Sequence, residues 1–170
     1  MDLRKFVRDI PDFPQKGVLF RDITPLLKDE KAFEFAVKEM SKPFKEEKID
    51  IVVGIEARGL ILAAPIAFYI GAGFVPIRKP GKLPWKTQRK EYELEYGMAI
   101  LEIHEDAINK NDRVLIVDDV LATGGTAKAA ADLVEQLGGE VLGFDFLIEL
   151  IDFKAKEILK KYTLFSLLKL

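Results

Sequence analysis

The sequence predicts an α/β fold: a mostly parallel sheet flanked by helices. Two observations carry that expectation. Short β-branched runs such as Ile51-Val52-Val53 and Val114-Leu115-Ile116-Val117 are apolar throughout, as parallel strands covered on both faces must be. They alternate along the chain with stretches of helical period, the pattern of strand–helix–strand units. A chain of 170 residues suits a single domain over 1–170, able to bury about two-thirds of its unfolded surface.

The elements follow in order. Residues 29–44 place Phe33, Ala36, Val37, Met40 and Phe44 on one stripe, with Asp29 as a plausible N-cap and Pro43 as a terminator. After the strand at 51–53, residues 60–70 are apolar all round, which suits a helix packed inside, and Phe74–Ile77 reads as the next strand. Residues 78–97 break the rhythm with Pro80-Gly81, Pro84 and mixed charges, predicting a long mobile loop or a hairpin. Strand character returns at 98–103 and 114–117. A helix at 125–137 is closed by Gly138-Gly139, and a strand at 140–150, a short helix at 152–160 and a last strand at 163–168 complete the chain. In such a sheet the ligand site lies at the carboxyl ends of the strands.

Composition removes several classes of function. There are 26 Lys and Arg against 28 Asp and Glu, so no global basic field attracts nucleic acid. Without Cys there is no disulfide framework, thiolate metal site or Cys nucleophile. The one histidine, His104, ends a strand and suits a solvent-facing or capping role better than catalysis. Gly59 to Ile77 runs 19 residues without a charge, yet Pro65, Gly71-Ala72-Gly73 and Pro76 punctuate it as helix, turn and strand rather than a membrane span. The N-terminus lacks the apolar core of a signal peptide, so a cytoplasmic protein without membrane or nucleic-acid partners is expected.

The chemistry concentrates in Val114–Thr126, where an apolar strand runs into Asp118-Asp119 and then Ala122-Thr123-Gly124-Gly125-Thr126 before a helix. The glycines let backbone approach a ligand, the N–H groups of the helix terminus point at it, and two hydroxyls add hydrogen bonds: an anion cradle. Adjacent carboxylates would repel that anion unless they face sugar hydroxyls or a cation. A ribose 5-phosphate satisfies both halves. The segment is neither a P-loop nor a dinucleotide fingerprint, since Gly125 is followed by Thr126-Ala127-Lys128 and the glycines are adjacent. A plain strand-to-helix turn is the alternative.

This segment resembles the phosphoribosyl-pyrophosphate (PRPP) signature of the type I phosphoribosyltransferases. Further segments bring the likeness closer to the adenine-specific members: Phe13-Pro14, Gly17–Leu26, Gly54–Gly59, Arg78–Pro84 and Leu94–Gly97. The resemblance implies that fold, with a small base-binding hood from about 1–28 plus the C-terminal segment and a flexible lid at 78–97. It implies transfer of the phosphoribosyl group of PRPP to adenine, giving AMP and pyrophosphate through an oxocarbenium-like transition state, with Mg²⁺ held through ligand oxygens and water.

It also implies residue roles. Ala122, Thr123, Gly124, Gly125 and Thr126 would hold the 5-phosphate, and Asp118 and Asp119 the ribose hydroxyls. Glu56, Ala57, Arg58 and Gly59 would form a pyrophosphate loop with one cis peptide bond, assisted by Arg78, Lys79 and Lys82. Phe20 and Leu150 would sandwich the base, whose edge the backbone of Leu19 and Arg21 would read. The lid would bring Glu95 and Tyr96, with Glu95 assisting proton movement. Arg58, Glu95, Asp118 and Asp119 are thus the expected catalytic set, and a homodimer the expected assembly. Taken singly, Arg58 could merely pair with Glu56 at a helix start, Phe20 could fill the core, and the charge run could be a solvated hairpin. A sister enzyme for another base and a non-catalytic PRPP or nucleotide sensor are the rival functions.

Overall fold

The computed structural model describes residues 1–94 and 97–170. After a short 3-10 turn at Leu3–Phe6 comes an antiparallel hairpin, β1 (Arg8–Pro11) and β2 (Leu19–Asp22). Two helices follow, α1 (Thr24–Lys28) and α2 (Glu30–Ser41). Asp29 caps α2 as expected, its carboxylate accepting from the Ala32 N–H at 2.9 Å, and Pro43 falls in a short 3-10 turn just beyond.

The core is a five-stranded sheet. β3 (Ile51–Ile55) leads into α3 (Arg58–Ile70) and β4 (Gly73–Ile77). Next comes an arm of two antiparallel strands, β5 (Thr87–Leu94) and β6 (Gly97–His104). β7 (Arg113–Leu121), α4 (Gly125–Gln136), β8 (Glu140–Glu149), α5 (Ala155–Ile158) and β9 (Thr163–Lys169) follow. The sheet order is β4-β3-β7-β8-β9, every neighbour parallel. Burial alternates along β7: Val114 and Ile116 pack with Ala130, Leu133 and Val134 of α4, while Leu115 and Val117 pack with Met40 of α2 and Leu62 and Ile66 of α3. A strand covered on both faces has no polar side, which is why this run is uniformly apolar.

Three expectations need correction, and one pair of alternatives is decided. The 98–103 segment is a strand, but it pairs with β5 in the arm rather than joining the parallel sheet. The 78–97 region is a nine-residue connection followed by a strand, so the hairpin alternative is the one that holds. The 152–160 helix shrinks to the four residues of α5, whose first turn gains no side-chain cap from Lys154. Finally, α3 is not packed inside on all sides. Leu62, Ala63, Ile66 and Ala67 face the sheet, but Ile61 and Tyr69 lie open and Phe68 is 90% exposed. The sheet and α2 cover only part of a helix in an outer layer, so an all-round apolar composition leaves another face bare. No helix among the described residues is long and apolar enough to cross a membrane.

Candidate active site

Because the sheet is parallel, the carboxyl ends of β3, β7 and β8 share one edge, and two cavities open there. One, of about 560 Å³, is lined by Glu56, Ala57, Arg58, Lys79, Asp118, Asp119 and Thr126, with Pro80, Tyr92, Ala99 and Ile100. The other, of about 720 Å³, is lined by Leu19, Arg21, Ala122, Thr123, Thr126 and Leu150, together with residues 15–18, Asp152, Phe153 and Leu170. Thr126 belongs to both.

β7 continues through the acid pair to Leu121, so both carboxyls are placed by strand geometry rather than by a loop. The Asp118 carboxylate accepts the Asp119 N–H at 2.8 Å. Burial, then repulsion from Asp119, push the Asp118 carboxyl well above the usual carboxylate range. Burial raises Asp119 as well, opposed by the Arg58 guanidinium, whose Nε lies 2.7 Å from Asp119 Oδ2. That N–H is not aimed along the line to the oxygen, so the contact is an ion pair rather than a well-formed hydrogen bond. Both carboxyls are therefore harder to ionise than a free carboxylate, and the Arg58 guanidinium is the neighbouring charge that favours ionisation.

Gly59 explains how α3 reaches this close. A Cβ there would stand 2.7 Å from Asp118 Oδ1 and 2.9 Å from the Val117 carbonyl oxygen, so only glycine lets the helix start rest on the acid pair. Just upstream the Glu56–Ala57 peptide bond is cis, the isomer the resemblance implies for one bond of this loop. Arg58 then has three contacts: Asp119, the Arg21 carbonyl oxygen (donating from Nη1 at 2.9 Å) and one face of the Phe20 ring at 4.6 Å. It is not paired with Glu56. Glu56 turns the other way, accepting from Arg78 Nε at 3.0 Å and from the Lys79 N–H at 2.9 Å. These contacts outweigh burial and hold its carboxyl below the usual range.

The cradle is built from backbone. Gly124 sits at φ +90°, a conformation that favours glycine, and α4 begins at Gly125 with no side-chain cap among the described residues. The first N–H groups of α4 are thus left for a ligand. The Leu150 N–H donates to the Leu121 carbonyl at 2.9 Å, tying the end of β8 to the start of the cradle.

Of the expected residues, the first cavity gathers Glu56, Ala57, Arg58, Lys79, Asp118, Asp119 and Thr126. The second gathers Leu19, Arg21, Leu150, Ala122, Thr123 and Thr126. Phe20 lies beneath Arg58 and meets Phe13 edge-on at 5.1 Å, lining neither cavity. Arg78 also lines neither; it is spent on Glu56, and its Nη1 donates weakly to the Lys82 carbonyl at 3.4 Å. Lys82 itself is exposed outside the cavities. Glu95 and Tyr96 fall outside the described residues. Tyr92 is a participant that sequence reasoning missed: it lines the first cavity, and Thr126 Oγ1 donates to its hydroxyl at 3.4 Å. The signal was present as the alternation of acid and apolar residues in Glu91-Tyr92-Glu93-Leu94, and Tyr92 is half-buried between the exposed Glu91 and Glu93.

Comparison with known proteins decides the family. The phosphoribosyl transferase domain matches residues 26–169, most of the chain. The chain belongs to the phosphoribosyl transferase family. An adenine phosphoribosyltransferase of Halothermothrix orenii is 55% identical over 169 residues, covering 99% of both chains. Among solved structures, the adenine phosphoribosyltransferase of Thermoanaerobacter pseudethanolicus superposes with a TM-score of 0.97 at 50% identity, over 99% of this chain and 98% of that one. The Saccharomyces cerevisiae enzyme, solved with an imino-altritol bisphosphate and adenine, gives 0.91 at 39% identity over 98% and 96%. For a phosphoribosyl transferase the edge just described is where a sugar phosphate is expected, at the carboxyl ends of parallel strands.

Proposed function

We propose that this protein transfers the 5-phosphoribosyl group of PRPP to adenine, releasing pyrophosphate and forming AMP. The observation that carries the reading is the pair of cavities meeting at Thr126, one holding the acid pair and cations, the other the cradle and an apolar wall. The relatives at 55% and 50% identity support the choice of adenine.

In this reading the uncapped amides of α4 and the hydroxyls of Thr123 and Thr126 bind the 5-phosphate. Asp118 and Asp119 take the ribose 2- and 3-hydroxyls. As the C1–oxygen bond to pyrophosphate breaks and C1 bonds to N9 of the base, positive charge grows on the ring. The two fixed carboxylates stabilise it where it forms. Arg58, Lys79 and the 56–59 backbone receive the leaving pyrophosphate, with Arg78 serving through Glu56 rather than directly. Leu150, Phe20 and the backbone of Leu19 and Arg21 hold adenine; a backbone carbonyl accepts from a 6-amino group and repels a 6-oxo oxygen. The lid at 78–97 closes over PRPP and excludes water, with Glu95 assisting proton movement on the base.

The donor set also suits Mg²⁺ held through its ligands. Two adjacent carboxylates stand beside the anion site, and no cluster of three His, Cys, Asp or Glu among the described residues forms a cage. Mg²⁺ commonly keeps waters and substrate phosphate oxygens alongside one or two carboxylates. When bound it would neutralise charge on the pyrophosphate. Ile61, Phe68, Tyr69 and Phe74 leave an apolar face exposed, which supports a homodimer. Sedimentation at equilibrium checks that. A hood of residues 1–28 with the C-terminal segment, and action in the cytoplasm, belong to the same reading.

The decisive experiment supplies PRPP, Mg²⁺ and each of five labelled free bases. AMP should form from adenine far faster than any nucleotide from guanine, hypoxanthine, xanthine or orotate, and chelation of Mg²⁺ should stop it. Binding of PRPP without AMP production would identify a sensor instead, and a different preferred base a sister enzyme.

A further inference from the structure

The turn that carries Lys79 into the first cavity is held from below by an acid to which the catalytic reading gives no task. Glu102 lies on β6 between the buried Leu101 and Ile103, and its side chain is only 2% exposed. A carboxylate so placed is costly unless charges and hydrogen bonds satisfy it. We propose that Glu102 is a positioning residue that fixes the Arg78–Gly81 turn to the arm, and that through this turn it sets the affinity of the site for PRPP. The inference rests on the function proposed above.

The contacts account for every amide of the turn. The Arg78 N–H donates to the Glu102 carbonyl at 2.9 Å, and the Glu102 N–H donates back to Arg78 at 2.7 Å. The Lys79 N–H goes to Glu56 at 2.9 Å, Pro80 has none, and the Gly81 N–H reaches Glu102 Oε2 at 3.1 Å. Glu102 therefore grips both ends of the turn, while Lys79 and Pro80 between them line the cavity. Its other oxygen, Oε1, has no hydrogen bond and is balanced by charge alone, with Nε of Arg89, its register partner on β5, 2.7 Å away. One side chain thus joins the cation-bearing turn to both strands of the arm. Gly81, at φ +76°, turns its N–H onto that carboxylate in a conformation other residues resist. If the arm shifts, the turn must shift with it.

Steady-state kinetics of the full-length protein test this, with PRPP and adenine varied separately. Glu102→Ala should raise KM for PRPP about tenfold or more, since small misplacements of a binding group cost that much, and leave KM for adenine within about twofold. Glu102→Gln retains an oxygen for the Gly81 N–H and should recover most of the loss. Glu102→Asp keeps the charge but withdraws it by one methylene; it should behave like the alanine variant and covers the case in which alanine does not fold. A purely structural acid would lower the melting temperature or active fraction with both KM values unchanged, and that result overturns the inference. Equal rises in the two KM values would overturn it as well. Lys79→Ala separates the layers: if it leaves KM for PRPP unaltered, the pyrophosphate reading itself fails. If Lys79→Ala raises that KM and the Glu102 variants do not, only the role of Glu102 fails.

Discussion

The strand edge and the arm build the same site by opposite means. At the edge, β3, β7 and β8 are buried on both faces, and the acid pair is placed by backbone packed so tightly that Gly59 has no room for a Cβ. The arm shares that core at the root of β6, through Leu101 and Ile103, while its strand β5 docks on α4 through polar links: Lys90 with Asp132 at 2.9 Å, Gln136 with Gln88 at 3.0 Å and Thr126 with Tyr92 at 3.4 Å. Asp132 also pairs with Lys128 on its own helix. Apolar burial is additive and hard to undo, whereas half-exposed ion pairs are each worth little and are screened by salt. The edge is therefore suited to fixing charge, and the contacts of β5 with α4 are the ones most easily loosened.

The comparison breaks first at the edge. Asp118→Asn combined with Asp119→Asn should lower turnover by about a thousandfold or more, the scale of losing transition-state electrostatics, with the fold intact by circular dichroism. Full activity in that variant would refute the role of the acid pair. Gly59→Ala should cost about a hundredfold in kcat/KM, because the new methyl displaces Asp118 or the start of α3. The fold's own charge economy gives the next effect. Asp145 on β8 is fully buried, and neither carboxylate oxygen has a partner among the described residues, so burial pushes its carboxyl well above the usual range. The unfolded chain ionises there first. Stability should therefore fall as pH rises above the ordinary carboxylate pKa, by up to about 1.4 kcal/mol per pH unit until the folded group ionises too. Asp145→Asn should flatten that slope in denaturant melts across pH. The smallest effect belongs to the arm: Asp132→Ala should raise KM for PRPP about two- to threefold, and the difference should vanish in high salt. A larger effect that resists salt would show that the arm is held as rigidly as the edge.

Most of the edge was legible because it is written locally. Val114–Thr126 contains its strand, its acids, its glycines and its helix start within one stretch, and nothing distant has to be known to place them. The arm was half legible. Its prolines and glycine, and a start of strand β5 that is polar from Thr87 to Glu91, hid the strand, and pairing of β5 with β6 withdraws the 98–103 strand from the main sheet. The partners of Arg58 were not legible at all. Its nearness to Glu56 in sequence suggested a pair, yet helix α3 turns it toward Arg21 and Asp119, and Glu56 closes on a turn more than twenty residues away. Contacts of that kind depend on how the strand order brings β3, β4 and β7 side by side.

The triple engagement of Arg58 has a consequence for how a purine enters. One side of the Phe20 ring is already covered by a guanidinium, itself anchored to a carbonyl and a carboxylate. An incoming heterocycle must either settle on the uncovered side or evict a cation the protein supplied for itself. In the second case, occupancy by the base would release a positive charge toward the neighbouring chamber, so the two halves of the cleft would be wired together by a single swinging side chain.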